Sequence, residues 1–564
     1  MQNILKLYQN HPKINDFSDL LKSKKEITLI NLKTSARSFF LASSFENTKK
    51  SFLIILSDKE AAAYLYNDFQ KIILNENIFF FPSTIRHLSY NSGLNIDKAA
   101  MMMRTETLTK IRKLKQSIII SYPQAIAENV ISANEIPKNT IEVKVGDEID
   151  TFFLVEMLEE FGFQKTEFVI EPGQYSVRGG IFDVFSYAAN FPYRLDFFGD
   201  EIENIRIFDV ETQLSTSKIE KISIVSNIQT KKEYKKIPFL EFIDANFSIF
   251  TDDEKFLFDT ISEINEKQKE LVINNDDFYN ENTIIFSSYN EFKKKYDNFQ
   301  KIYFSQNQNP NIPSLKFDIN YQAKIQKNFN LLANDLEAKH TKAYKTFIMS
   351  KSEKQLLRLQ EILKSEHIET KTEFKKLKGT IHEGFTDNDL KISAYTDHQI
   401  FDRFHKFKLK DFGANKSKEK QLLKEINELN PGDYIVHIDY GIGIFMGLTT
   451  IENNGKKQEV VRITYKDNDN LFVSIHALNK ISKFKSQDAE PPRIHKLGTK
   501  VWKNLKKKTK SRIKDIAKDL IELYAKRMQE KGFAYAPDSY LQEALEASFI
   551  YEETPDQLKT ITDV

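Results

Sequence analysis

The feature that most constrains the fold is a run of short β-type segments, evenly separated by turn residues, over residues 431–484. The turn signals fall at residues 431–433, 439–441, 453–455 and 467–469, where Gly, Asn and Asp tolerate tight or left-handed backbone. Strands this short and this regularly interrupted predict a small closed antiparallel barrel of about five strands. The stretch contains no plausible catalytic group, and it indicates a binding module.

Alternation within residues 459–465 assigns faces to one strand of this barrel. Val461, Ile463 and Tyr465 fall on one side, which we expect to fill the core, and Val460 and Arg462 fall on the other. A strand with a face that has no internal use is available to a partner, and an exposed edge can accept another strand. We therefore expect the docking surface of this module along residues 459–465.

The string Gly-Asp-Tyr-Ile-Val-His at 432–437, followed by Tyr-Gly-Ile-Gly at 440–443, resembles the RNA-polymerase-interacting domain of bacterial transcription-repair coupling factors. That Tudor-like module is shared with CarD-type transcription regulators. The resemblance implies docking on the β subunit of RNA polymerase, with Val460, Val461 and Arg462 as the contacting residues.

Composition limits the possible function classes. The 564 residues suffice for about four domains, and 40% hydrophobic with 29% charged residues is ordinary for a globular protein. A net charge of +2 argues against a surface that coats nucleic acid throughout. The absence of cysteine excludes disulfides and thiolate sites. No stretch reaches 18 apolar residues, so we expect a cytoplasmic protein without a membrane partner.

Residues 1–121 alternate short apolar runs with helical patterns, which predicts a mainly parallel α/β layer. The loop after the first predicted strand, residues 33–37, contains no glycine, and the chain contains no Gly-x-x-x-x-Gly-Lys-Ser/Thr. Without those glycines the backbone amides cannot close around phosphates. We predict a degenerate RecA-type domain that binds no nucleotide, completed by residues 229–335 after an inserted β-rich domain at 122–228. No catalytic residue and no metal site is predicted.

Arg178 and Arg194 stand among apolar strand residues of the inserted domain, where an unpaired guanidinium would be costly. One interpretation pairs them with Asp183, Asp196 or Asp200 inside the domain. The other exposes them as anchors for a protein partner.

The string Tyr-Ser-Val-Arg-Gly-Gly-Ile-Phe-Asp-Val at 175–184, with Tyr-Arg-Leu-Asp-Phe-Phe at 193–198, resembles the region that coupling factors share with the excision-repair subunit UvrB. The resemblance covers residues 1 to about 330, and it implies docking of UvrA through Arg178, Arg194 and Phe198. We expect these three residues to form one exposed patch.

The remaining segments are a small α/β domain at 336–404 with no evident role, a lysine-rich linker at 405–428, the barrel at 429–490 and a long basic helix within 491–564. The cations on this helix make either a solvated face or a contact with DNA or an acidic protein. The candidate DNA contacts are Lys503, Lys506, Lys507 and Lys510.

The last residues, 549–557, resemble the segment that opens the ATP-driven translocase of the same family, in which Gln557 would read adenine. The phosphate loop of that motor is absent, so we expect a motor-less N-terminal portion without enzymatic activity of its own. ATP and Mg²⁺, and most DNA contact, are implied only for the full-length family member. The predicted function is an adaptor that links UvrA to RNA polymerase. The alternatives are a DNA translocase, which would need the motor, and a CarD-type regulator, which would use only the barrel.

Overall fold

The computed structural model describes most of the chain up to residue 510 and isolated positions beyond it. The described residues are 1–73, 77–85, 97–210, 213–228, 236–273, 286–351, 353–365, 374–405, 407, 429–453, 456–474, 480–484, 492–499, 501–502, 504–508, 510, 520, 523, 525–527, 539, 541, 545, 557 and 560. They form several sheets flanked by helices, which confirms the predicted mixed α/β class. Two compact units result: residues 1–136, 228–411 and 536–564 in the first, and residues 137–227 and 412–535 in the second.

The first unit begins with a parallel α/β layer. Its elements up to residue 136 are α1 (Gln2–Gln9), α2 (Pro12–Ser23), β1 (Glu26–Ile30), α3 (Ala36–Asn47), β2 (Ser51–Ile55), α4 (Lys59–Ile72), β3 (Ile78–Phe80), α5 (Lys98–Ile111), β4 (Ile118–Ser121), α6 (Pro123–Ala127) and β5 (Val130–Ile131). Every residue of β2 and of β4 is buried, as expected for parallel strands that helices cover on both faces.

The second unit begins with the β-rich segment. Its elements are β6 (Thr140–Lys144), α7 (Thr151–Glu160), β7 (Gln164–Lys165), β8 (Gln174–Arg178), β9 (Ile181–Val184), β10 (Tyr193–Phe198), β11 (Glu201–Phe208), β12 (Ser215–Ile219) and β13 (Lys221–Val225). Six of these strands form one sheet in the order β12-β11-β10-β9-β8-β7. Leu154 and Leu158 of α7 pack on the apolar face of this sheet against Tyr175, Phe182 and Leu195.

The turn between β8 and β9 depends on two glycines. Gly179 has a φ of 63°, in the left-handed region that favours glycine. A Cβ on Gly180 would lie 2.8 Å from the carbonyl oxygen of Phe197, so a side chain would push β10 away. These glycines allow β8 and β9 to form a tight hairpin, and β10 then pairs with β9.

After residue 228 the chain returns to the first unit. The elements are β14 (Lys236–Ile237), α8 (Phe239–Phe242), β15 (Phe247–Thr251), α9 (Glu254–Ile273), α10 (Tyr289–Tyr296), β16 (Gln300–Ser305) and β17 (Ser314–Lys316). The resulting seven-stranded sheet has the order β17-β1-β16-β15-β2-β4-β3. Because β16 and β15 lie between β1 and β2, the segments before and after the β-rich insertion build one sheet.

A smaller sheet completes the described part of the first unit. Its elements are β18 (Ile319–Tyr321), α11 (Phe329–Thr341), β19 (Lys345–Ser350), α12 (Glu353–Ser365), β20 (Lys375–Lys378), β21 (Phe385–Asp387), β22 (Ile392–Thr396) and α13 (Asp397–Ile400). The strand order is β18-β21-β22-β19-β20. Leu332, Leu336, Ile348, Leu359 and Tyr395 belong to the core between this sheet and its helices.

The second unit continues with a five-stranded antiparallel sheet. Its strands are β23 (Tyr434–His437), β24 (Gly441–Asn453), β25 (Lys456–Thr464), β26 (Asn470–Ser474) and β27 (Ile481–Lys483), in the order β26-β25-β24-β23-β27. The number of strands agrees with the prediction, but β24 and β25, with 13 and 9 residues, are longer than the short strands expected. The pairings between described residues do not join β26 to β27, so closure into a barrel stays a prediction.

The predicted long helix lies largely outside the described residues. Residues 501–502, 504–508 and 510 are helical, as are the few described positions between 520 and 527. No helix among the described residues is both long enough and apolar enough to cross a membrane.

Candidate docking surfaces

The β8-β9-β10-β11 sheet carries a charged face on the side that α7 does not cover. Asp183 lies opposite Ser176 on β8 and opposite Arg194 on β10, and Arg194 lies opposite Arg206 on β11. Residues opposite one another on antiparallel strands point to the same side, while the alternate positions of these strands enter the apolar core. We define the charged face as Arg178, Asp183, Arg194, Asp196, Arg206 and Lys218.

Asp183 is the centre of this charged face. Its carboxylate is fully buried and accepts hydrogen bonds from Arg194 Nε at 2.7 Å and Arg194 Nη2 at 2.8 Å, and another from Arg178 Nη2. The side chains of Arg178 and Arg194 are only 8% and 13% exposed. A buried carboxylate requires charged partners. The internal pairing interpretation of the two arginines is therefore confirmed for Asp183.

Aromatic rings and backbone carbonyls hold the two guanidinium groups in place. Arg178 lies 5.2 Å from the centre of the Phe168 ring and donates to the carbonyl of Glu167. Arg194 lies 4.4 Å from the Phe208 ring, and its Nη1 donates to the Gln213 carbonyl at 2.9 Å. Such stacking and fixed donors restrict both side chains to one orientation. Local alternation does not predict these contacts, because Phe168 lies in the loop before β8 and Phe208 ends β11, and only folding brings the two rings to the arginines.

The expectation of one exposed patch therefore needs correction. Phe198 is 75% exposed and lies on the same side of β10 as Arg194, but both arginines are mostly covered. Arg206 pairs with the half-buried Asp196, and Lys218 is exposed. With four cations and two carboxylates, the charged face has a net charge of 4 − 2 = +2. The residues most open to solvent on this side of the sheet are Arg206, Lys218 and Phe198. Arg178 and Arg194 are mostly covered.

The second candidate surface lies on the β23–β27 sheet, and here the predicted position needs correction. Val461, Ile463 and Tyr465 are buried in one cluster, as predicted. Val460 is also buried, at 2% exposure, and β25 pairs with β24 on one side and β26 on the other. Side chains at Val460 and Val461 are therefore closed to a partner, and residues 460–464 cannot accept an added strand.

The two terminal strands of this sheet are β26 and β27, and β26 is the one beside β25. Its outer side has no partner strand among the described pairings, and Phe472 on it is 46% exposed. Phe472 lies directly opposite Arg462. Arg462 is half-buried, and its Nε has no hydrogen-bond partner among the described residues. Arg462 and Phe472 thus form an arginine–aromatic pair beside an edge strand, and the alternation of the sequence pointed to the neighbouring strand instead.

The two surfaces belong to modules that share an apolar core inside the second unit. Phe168 and Ile170 of the β-rich segment are buried in the same cluster as Ile435, Phe445 and Ile463 of the β23–β27 sheet. Phe168 is also the ring beneath Arg178. The segment around residue 168 therefore supports the charged face on one side and the second sheet on the other.

The segment after β27 packs back on the same sheet. Trp502 Nε1 donates to the Ile438 carbonyl at 3.1 Å, and Lys506 Nζ donates to that carbonyl at 2.9 Å and lies 3.6 Å from Asp439. Lys507 and Lys510 are exposed on the helix. Lys503 lies outside the described residues. Contact of these lysines with DNA stays a prediction.

The loop between β1 and α3 is the predicted glycine-free loop. The Ser35 side chain in it is hydrogen-bonded to protein groups. Ser35 Oγ donates to the buried Asp68 carboxylate at 2.6 Å and accepts from the Glu383 backbone amide at 3.0 Å. The His382 backbone amide donates to Asp68 at 2.8 Å. Burial raises the pKa of the Asp68 carboxyl, against the effect of these hydrogen bonds. The absence of nucleotide binding at this loop stays a prediction.

Gln557, for which an adenine-reading role was predicted, is helical and exposed. The residues around it lie outside the described part of the chain. Its role stays a prediction.

One group of possible metal ligands occurs among the described residues, at His11, Asp387 and Asp389, with ligand atoms within 4.8 Å of one another. His11 Nδ1 accepts a hydrogen bond from the Lys13 amide, which leaves the ring proton on Nε2 and no lone pair for a metal. Lys13 also pairs with Asp389, and Tyr8 donates to Asp387 at 2.7 Å. Protein groups thus bond to both carboxylates and to His11 Nδ1, whereas His11 Nε2 is buried without a hydrogen-bond partner among the described residues.

Comparison with known proteins agrees with this architecture. The UvrB interaction domain model matches residues 141–229, and the CarD-like/TRCF RID domain model matches residues 429–485. The transcription-repair-coupling factor of Bacillus subtilis (strain 168) is 25% identical, and that of Staphylococcus aureus (strain bovine RF122 / ET3-1) is 24% identical.

Each alignment covers 98% of this chain and 53% of the relative, so the chain spans about half the length of the curated relatives it matches. Both matched domains lie in the second unit, where they carry the charged face and the β26 edge. The chain therefore corresponds to the N-terminal portion of the transcription-repair-coupling factors, with a UvrB interaction domain and a CarD-like/TRCF RID domain in one polypeptide.

Proposed function

We propose that this chain is the adaptor part of a transcription-repair-coupling factor, which links RNA polymerase at a stalled site to nucleotide excision repair. The observation that carries the proposal is that two different binding modules occur in one chain and match the UvrB interaction and CarD-like/TRCF RID families. Each module offers an exposed phenylalanine, Phe198 on the same side of β10 as Arg194 and Phe472 opposite Arg462, and both residue types are enriched at protein interfaces.

The charged face is the proposed docking surface for UvrA. Its net positive charge suits an acidic partner surface, and Phe198 at its edge supplies an apolar anchor. In this proposal Arg178 and Arg194 are a rigid structural support for the surface, because Asp183 fixes their positions. The outer cations Arg206 and Lys218 steer the encounter.

The β26 edge is the proposed docking surface for the β subunit of RNA polymerase. An unpaired edge offers main-chain hydrogen bonds to an added strand, and the neighbouring side chains select the partner. Phe472 lies on the edge strand itself, and Arg462 lies one strand inward, directly opposite Phe472. The interface would be small, since the whole sheet offers few strands.

We also propose that the α/β layer of the first unit binds no nucleotide. The glycine-free loop and the Asp68 carboxyl beside Ser35 support this, because phosphates need amide donors and cations. ATP with Mg²⁺ belongs in this proposal to the full-length family member, as does most contact with DNA.

Biolayer interferometry with purified UvrA and RNA polymerase core enzyme tests the adaptor proposal. We expect Phe198→Ala to weaken UvrA binding at least tenfold and to leave polymerase binding unchanged. We expect Phe472→Asp to have the converse effect. Phe256→Ala is the matched control, because Phe256 is also 46% exposed but lies in the first unit. Retention of both partners by both variants would refute the assigned surfaces.

A further inference from the structure

The first turn of α7 exposes two adjacent aromatic side chains on the side of the sheet opposite the charged face. Phe152 and Phe153 are 67% and 55% exposed. Leu154 and Leu158 of the same helix are buried against the apolar face of the sheet, so α7 is anchored there. The phenylalanines take no part in the charged face, because that face lies on the other side of the same sheet.

Backbone contacts fix the position of this turn. Asp150 caps α7 by accepting a hydrogen bond from the Phe152 amide at 2.8 Å. The Ile149 amide donates to the Asp200 carbonyl at 2.8 Å, and Glu148 forms an antiparallel bridge with Glu201. The first turn of α7 therefore lies beside the β10–β11 hairpin tip.

Four carboxylates lie just before this turn and on the hairpin tip beside it. Glu148, Asp150, Asp200 and Glu201 are all exposed. No ion pair joins any of these four to a lysine or arginine in the part of the chain that the structure describes, and the nearby Lys144 pairs with Asp147. The surface thus combines two exposed rings with several unpaired negative charges.

This combination selects one class of partner. A single exposed phenylalanine needs no explanation, but two adjacent rings on a fixed helical turn form an apolar patch that a partner would cover. The negative rim repels nucleic-acid phosphates and anionic lipid headgroups, and it attracts lysine and arginine.

We infer that the acidic-aromatic surface, formed by Phe152, Phe153, Glu148, Asp150, Asp200 and Glu201, docks a basic protein segment. The segment that fits carries an apolar side chain for the rings, flanked by lysine or arginine for the carboxylates. The surface lies in the same matched domain as the charged face, but with the opposite charge and with its two rings on the other side of the sheet, whereas the β26 edge lies in the other matched domain.

Selection from a display library of random 12-residue peptides on the whole chain tests this inference. Peptides that also bind the Phe152→Ser/Phe153→Ser variant are removed by counter-selection. We expect the recovered peptides to be basic with a central apolar residue, and to lose at least tenfold in affinity on that variant. Salt should weaken their binding, because the contacts to the rim are ionic.

A second variant, Asp200→Lys/Glu201→Lys, keeps the rings and reverses part of the rim. It should also reduce binding at least tenfold, while Phe256→Ser leaves binding unchanged. All positions are exposed, so the far-ultraviolet circular dichroism should stay that of the parent chain. Recovery of acidic peptides, of peptides indifferent to both variants, or of none that require the rings would overturn the inference.

Discussion

Replacing Arg194 with alanine is the sharpest test of how the charged face is built. The change removes both hydrogen bonds from Arg194 to the buried Asp183 and the bond to the Gln213 carbonyl. Hydrogen bonds to charged groups contribute about 1.5–3 kcal/mol each, but the contributions are not additive. Because Arg178 still pairs with Asp183, we expect a loss of about 2–3 kcal/mol of local stability, below the roughly 3–5 kcal/mol for a fully unpaired buried charge.

Arg206→Ala is the matched control on the same face. Arg206 pairs with Asp196, but the two side chains are 31% and 22% exposed, so solvent screens the pair. A loss of at most about 1 kcal/mol is expected from such a partly exposed pair. The difference between the variants measures the contribution of burial at Asp183.

Hydrogen exchange with mass spectrometry is the appropriate assay, because it reports local opening strand by strand. Arg194→Ala should accelerate exchange in residues 174–184, whereas Arg206→Ala should not. Equal, small effects of the two variants would show that Asp183 does not depend on Arg194. Loss of UvrA binding with unchanged exchange would instead make Arg194 a direct anchor.

Four further outcomes are expected. Val460→Asp should unfold the β23–β27 sheet, since it buries a charge, and the fluorescence of Trp502, bonded to the Ile438 carbonyl, should report this; an unchanged spectrum would contradict it. Ile170→Ala should cost about 2–5 kcal/mol and accelerate exchange in residues 174–184 and 434–445 together; an effect on one module alone would argue against the shared core. Calorimetry with ATP should give no binding heat, and micromolar affinity would refute the proposal for the α/β layer. Acidification below about pH 6.5 should destabilise the first unit, because burial lowers the pKa of His11 and His382 to about 4, and His11→Phe should reduce this loss.

The sign of that pH dependence follows from proton binding. Between about pH 4 and pH 6.5 the unfolded chain protonates these histidines and the folded chain does not, so stability rises with pH in that window. The contribution is fully present above the unfolded pKa and is lost as the pH falls toward the folded value. Thermal midpoints at pH 7 and pH 5, measured on parent and variant, check it.

Local patterns in the sequence determined a large part of this protein. The apolar runs of β2 and β4 predict buried parallel strands because a strand covered on both faces has no polar side. The alternation of Val461, Ile463 and Tyr465 predicts the core side of β25, and these three are buried together. The motifs at 175–184 and 432–443 indicated both families, which the family models match.

Only the tertiary structure decided which of the predicted surfaces is open. Alternation assigns a residue to one side of its strand, but it does not reveal whether that side or that edge is covered. Val460 is buried and β25 is paired on both sides, so the terminal strand β26 replaces β25 as the candidate edge. Likewise, strand pairing brings Arg194 to Asp183, eleven residues earlier in the chain, and folding places the Phe208 ring beside the guanidinium. Pairing partners and coverage depend on contacts between distant segments, which no local pattern contains.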